Sequence, residues 1–213
     1  SILVFMENNL SIAAIIMFVA FIMVFVSGMN GKETIALMGA GGVLGAMGIF
    51  SSDYRRERFM SFTNPWKYAN DEGYQLVHSL YAIGSGGLFG VGLGNSKQKA
   101  LYMPEPHNDF IFAIIGEELG LIGCAVVIML FVILVYRCVR IALNCTDIFT
   151  CMVVIGIGAQ IGIQAALNIA VATSSMPVTG VALPFISYGG TSLIIFMSAV
   201  GIVLNISKHV KMN

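Results

Sequence analysis

The sequence predicts an all-α, polytopic transmembrane helical bundle of about five complete spans, and three observations lead there. First, 57% of the 213 residues are hydrophobic and only 10% are charged, and the mean hydropathy is +0.88. A water-soluble domain carries about 25% charge, so this chain cannot clothe a folded surface in water. Second, the apolar residues lie in runs long enough to cross a bilayer. Third, the runs do not alternate with period two, which excludes the ten-residue strands of a membrane barrel. Apolar content this high also excludes disorder. A net charge of zero and the lack of a basic stripe argue against nucleic acid as a partner.

The elements follow in order. Residues 10–27 are uncharged and span about 27 Å as a helix, one hydrocarbon thickness. Residues 34–50 are rich in Gly and Ala, as closely packed membrane helices are. Residues 109–136 form a long apolar run interrupted by Glu117 and Glu118, and residues 149–172 and 190–206 complete the set. No span holds an internal proline, so nothing in them forces a helix break. The whole of 1–213 reads as a single membrane domain. Its first residues, Ser1-Ile-Leu-Val-Phe-Met, are already apolar and look like the tail of an earlier span, which marks the chain as a fragment.

Of the 22 charges, 12 lie between Ser51 and Asp109. Lys32, Arg137, Arg140, Lys208 and Lys211 fall on one side of five alternating spans, which the positive-inside rule makes cytoplasmic. Residues 51–108 are then an extracytoplasmic loop, long enough to translocate despite its basic residues. The four cysteines fit no zinc pattern and none lies in an external segment, so they read as small hydrophobes.

Chemistry has few places to sit. Asp109 heads the third span after Pro104-Glu-Pro-His-Asn108, with the helix expected to start near Asn108 and the carboxylate able to serve as an N-cap. At 100° per residue it shares a face with Ala113, Gly116, Gly120 and Gly123, the face that packs into a bundle. A carboxylate there, at the membrane–water boundary, suits a general base. Glu117 and Glu118 lie about 12–14 Å further along the axis, near the midplane, where an ionisable residue is expected to be structural or functional. No basic residue lies within the spans, so a cationic partner is expected from outside this chain. Gln160, Gln164 and Asn168 form an i, i+4, i+8 stripe that either glues helices or lines a cavity. Ser187-Tyr-Gly-Gly-Thr-Ser192 offers backbone N–H groups or a plain turn at the start of the last span. The glycine run Gly84–Gly94 matches no nucleotide-binding pattern.

Four stretches, YRRERFMSFTNPW (54–66), GYQLVHSLYAIGSGGLFGVGLGNSKQK (73–99), PEPHNDFIFAIIGEELGLIG (104–123) and GVALPFISYGGTSL (180–193), resemble the SEDS family of FtsW, RodA and SpoVE, most like FtsW and SpoVE. The resemblance implies a ten-helix fold, of which this chain is the C-terminal part. It implies a peptidoglycan glycosyltransferase in the bacterial cell membrane that polymerises lipid II on the extracytoplasmic side, with Asp109 as the catalytic base. Candidate substrate-binding residues are Arg55, Arg56, Arg58, Lys97, His107 and Ser187; cations or a divalent metal are needed for the leaving pyrophosphate. Implied partners are class B penicillin-binding transpeptidases and other division or sporulation membrane proteins. A lipid II flippase and an inactive truncated fragment are the alternatives. One departure is Asn9, which stands where many members carry an aspartate and is given no role.

Overall fold

The computed structural model describes residues 10–50, 53–71, 73–103 and 107–210. Their regular elements are all helical: α1 (Leu10–Val26), α2 (Gly31–Phe50), α3 (Asp53–Thr63), a 3-10 turn (Pro65–Tyr68), α4 (Tyr74–Gly86), α5 (Lys97–Leu101), α6 (Ile111–Leu143), α7 (Ile148–Ala172) and α8 (Gly190–Ser207). Among the described residues, three helices are long and apolar enough to cross a membrane: α6, α7 and α8. Asn9 and Pro104–Pro106 lie outside the described residues.

The antiparallel pair α6–α7 is the spine. α1 packs on α7, α8 lies against α7, and α4 runs along the first part of α6. One apolar cluster sits where α4, α6 and α7 meet, around Leu76, Ala82, Phe110, Phe112, Ala113, Ala165, Ala172 and Leu183. A second closes the opposite end of the spine, around Cys138, Ile141, Ala142, Val154 and Val203. Leu121, Met129, Leu130 and Val132 point outward from α6 and stay exposed. Large apolar side chains in that position suit hydrocarbon rather than water.

Two features lie beyond the sequence reading. The segment 51–108 is not loop throughout: its described residues include α3, α4 and α5. Its second half folds back as a hairpin: α4 descends along α6, the glycine turn follows, and α5 returns. The third run is not an uninterrupted helix either. Gly120 has φ 66° and ψ −166°, a backbone region that essentially only glycine occupies. The break would leave backbone groups orphaned, and the glycine turn satisfies them. Val91 and Gly92 donate their N–H groups to the carbonyls of Glu117 and Glu118, at 2.9 and 3.0 Å. Leu121 and Ile122 donate theirs to the carbonyls of Gly87 and Leu88, at 2.9 and 3.3 Å. Irregular backbone at membrane depth is tolerated when protein covers it in this way. The approach is close: a Cβ on Gly86 would collide with the Gly116 carbonyl, and one on Gly120 would meet Leu88 O at 2.5 Å. The small-residue face of α6 therefore receives α4 and the glycine turn.

Candidate active site

The site is built on three carbonyls. α6 begins at Ile111 with Phe110 as its N-cap, and no side chain caps it. Asp109 thus precedes the cap, and the N-cap role foreseen for its carboxylate is not the one it has. The first helical bonds at this end go to Phe110 O, from Ala113 N and Ile114 N. The carbonyls of residues 107, 108 and 109 lie outside that ladder, and each is tied to the segment around α7 and the loop after it. Tyr188 N–H donates to His107 O at 2.9 Å. Ser187 Oγ donates to Asn108 O at 2.6 Å and accepts from Leu183 N–H at 2.7 Å. Asn168 Nδ2 donates to Asp109 O and to Val181 O, both at 2.8 Å.

Asn168 is 1% exposed, and a buried amide bonding two carbonyls costs far more to remove than its net contribution suggests. It carries the polar stripe of α7: Gln164 and Gln160, further along the helix, are half-buried. The carboxylate of Asp109 is half-buried and faces Gly180. A Cβ on that glycine would come within 3.7 Å of Asp109 Oδ2. Gly180 is exposed and has φ +65°, a conformation that favours glycine beside the carboxylate.

Glu117 stands elsewhere. It is 2% exposed and eight residues past Asp109 on α6, about 12 Å along the axis. Its partners come from this chain, not from an absent cation. Ser96 Oγ donates to Oε2 at 2.5 Å, Lys97 N–H to Oε1 at 3.0 Å and Gln98 N–H to Oε2 at 3.4 Å. The carboxylate therefore caps α5, where a helix N-terminus favours negative charge. Glu118 is half-buried, and its Oε1 has no hydrogen-bond partner among the described residues.

The structure thus gathers His107, Asp109, Asn168 and Ser187 into one cluster, and Ser96, Lys97 and Glu117 into a second, deeper one. Ser187 spends its hydroxyl on backbone groups within the chain. His107 and Lys97 are exposed. The side chains of Arg55, Arg56 and Arg58, on α3, lie outside the described residues. Among the described residues no group of three or more His, Cys, Asp or Glu could hold a metal. Sequence reasoning missed Ser96 and the glycine turn. Ser96 sits three residues before Lys99, whose N–H it accepts at 3.0 Å; that N-cap pattern was the available signal.

The sequence signature of the cell cycle protein family FtsW/RodA/SpoVE matches residues 1–212. The chain belongs to this family. It is 43% identical over 205 residues to stage V sporulation protein E of Bacillus subtilis, covering 95% of this chain and 56% of that protein. It is 45% identical over 206 residues to a probable peptidoglycan glycosyltransferase FtsW of Geobacter sulfurreducens, covering 96% and 55%. Among solved structures it resembles a chain of a peptidoglycan synthase complex described as coordinating polymerization and crosslinking. The TM-score there is 0.80 at 27% identity, over 99% of this chain and 59% of the other. It also resembles the rod shape determining protein RodA of Thermus thermophilus, with a TM-score of 0.59 at 27% identity, over 94% and 50%. The chain spans little more than half the length of the relatives it matches. Like them it is a polytopic helical membrane protein of the FtsW/RodA/SpoVE fold.

Proposed function

We propose that this chain carries the catalytic base of a peptidoglycan glycosyltransferase that polymerises lipid II at the outer face of the bacterial cell membrane. The observation that carries the reading is the fixing of residues 107–109 by three independent ties, which holds the Asp109 carboxylate at the head of an apolar helix. A base must be held near the proton it removes, and backbone ties to a rigid helix pair do that. Asp109 takes the proton from the 4-hydroxyl of the acceptor sugar as that oxygen attacks C1 of the donor sugar. The bond from C1 to the pyrophosphate oxygen breaks, its electron pair leaves with the lipid pyrophosphate, and the anomeric centre inverts. Lys97 and Lys99, both exposed, supply positive charge for the leaving group. The exposed His107 and, from the sequence, the basic residues Arg55, Arg56 and Arg58 are the further candidates to bind substrate. The partner is a class B penicillin-binding transpeptidase, in line with the crosslinking named for the synthase complex that this fold resembles.

The test is glycan-strand synthesis from purified lipid II by the full-length protein. Asp109→Asn is expected to remove polymerisation by about 10²–10⁴-fold, with unfolding temperature and binding of the transpeptidase unchanged. Polymerisation at the parental rate overturns the reading. Loss of polymerisation with transfer of lipid II across vesicles still intact separates a base from a transport residue.

A further inference from the structure

Glu117 is the buried charge that the proposed reaction leaves unused, and it bonds no cation among the described residues. Its carboxylate instead holds the turn Ser96–Lys97–Gln98 by three hydrogen bonds. That turn starts α5, the helix that bears Lys97 and Lys99. The upper end of α5 is held by different contacts. Tyr74 Oη donates to Tyr102 O at 2.8 Å, and the His78 ring stacks on Tyr102 at 5.4 Å. The lower end is held by Glu117 and Ser96, with His78 Nδ1 2.8 Å from Gln98 Oε1 beside them.

Depth gives this anchor a purpose. In a lipid-linked sugar donor the sugar is outermost, the pyrophosphate lies next to the bilayer and the isoprenoid chain is inside it. The charge that develops on the leaving group therefore lies deeper than the proton the base removes. Glu117 stands about 12 Å below Asp109 along α6; Lys97 is tethered to it through its own N–H, and Lys99 through the hydroxyl of Ser96, which in turn donates to Glu117. Both lysine side chains are exposed, so neither is consumed by the fold.

We propose that Glu117 is a positioning residue that sets the depth of Lys97 and Lys99 below Asp109, so that they meet the pyrophosphate of a polyprenyl-linked substrate. The proposal rests on the glycosyltransferase reading for its substrate class, but it acts through binding and is measured without turnover. A carboxylate is suited to the task. It accepts several N–H and O–H bonds at once, which an amide in its place cannot do without turning a donor toward backbone N–H groups.

The experiment uses the full-length protein in lipid nanodiscs carrying Asp109→Asn, so that nothing turns over, and titrates undecaprenyl pyrophosphate. Glu117→Gln is expected to weaken binding about tenfold, and Lys97→Gln with Lys99→Gln by a similar factor. The three substitutions combined are expected to weaken it no further, because residues acting as one unit are not additive. Ser96→Ala removes one of the three bonds to Glu117 together with the cap on Lys99 N–H, and is expected to weaken binding severalfold with a modest fall in unfolding temperature. That variant decides the matter should Glu117→Gln fail to fold. Parental affinity in Glu117→Gln or in Ser96→Ala overturns the proposal. So does a multiplicative loss in the combined variant, or affinity that ignores the lysines. Polymerisation that survives Asp109→Asn would defeat the glycosyltransferase base while leaving these binding results standing.

Discussion

The two ends of the α6–α7 pair are made from the same two helices and differ in what holds them. At the end away from Asp109, α6 stops at Leu143 and α7 starts at Ile148. Asp147 caps α7 by accepting from Thr150 N–H at 2.9 Å and Thr150 Oγ1 at 2.8 Å, and an apolar cluster fills the space above. The bonds of Asn144, Cys145 and Thr150 there are local, between residues four or fewer apart. At the Asp109 end the bonds reach across the sequence. Asn168 reaches back 59 residues to Asp109, and Ser187 reaches back 79 to Asn108. Local caps only end helices. Long-range ties fix one element against another, which is what a reacting group requires.

The sharpest way to break the comparison is to change one aspartate at each end. Asp109→Asn is expected to cost the 10²–10⁴-fold in polymerisation given above, and Asp147→Ala to leave the rate alone. Gly120→Ala comes next. The backbone there excludes a Cβ and the glycine turn presses on it, so a loss of roughly 3 kcal/mol or more is expected, read as a lowered unfolding temperature and poor yield. Asn168→Leu strips hydrogen bonds from two carbonyls. A loss of about 1–3 kcal/mol is expected, with a fall in kcat larger than the change in KM because the backbone at Asp109 is released. Asp147→Ala is the smallest. Hydrogen bonds from Thr150 hold the Asp147 carboxyl below its ordinary pKa. Its contribution is therefore complete above the unfolded-state pKa and is lost as pH falls through the lower folded-state value. The variant should show a slightly lower unfolding temperature at neutral pH, with the gap to the parent closing in acid.

Composition and run length made the helical bundle legible. They also placed the helix starts within a few residues, because membrane spans are written as uninterrupted apolar runs. The helix α6 runs on to Leu143, past the membrane span read as ending at residue 136. Arg137 and Arg140 end the apolar run but not the helix, since arginine is a good helix former. Asp109 was legible from its place above a small-residue face. The hairpin was not, because its signal is a pairing. The glycines at 86–92 and at 116 and 120 make sense only once the two segments touch, and no periodicity within either reports the other. Glu117 misled for the same reason: a lone carboxylate in an apolar run invites a search for a cation, whereas its partners are N–H groups that any sequence possesses.

The break at Gly120 bears on how the chain is made. Without the glycine turn, α6 would enter lipid with unpaired N–H groups at Leu121 and Ile122, unpaired carbonyls at Glu117 and Glu118, and a bare carboxylate at Glu117. Each such group costs several kcal/mol in hydrocarbon. The turn is translated before α6, so it is already present when α6 leaves the ribosome. Helix and hairpin must therefore be delivered to the bilayer as one insertion unit. A nascent chain extended beyond Leu143 far enough for α6 to clear the ribosome should integrate α6 only when residues 86–98 upstream are intact.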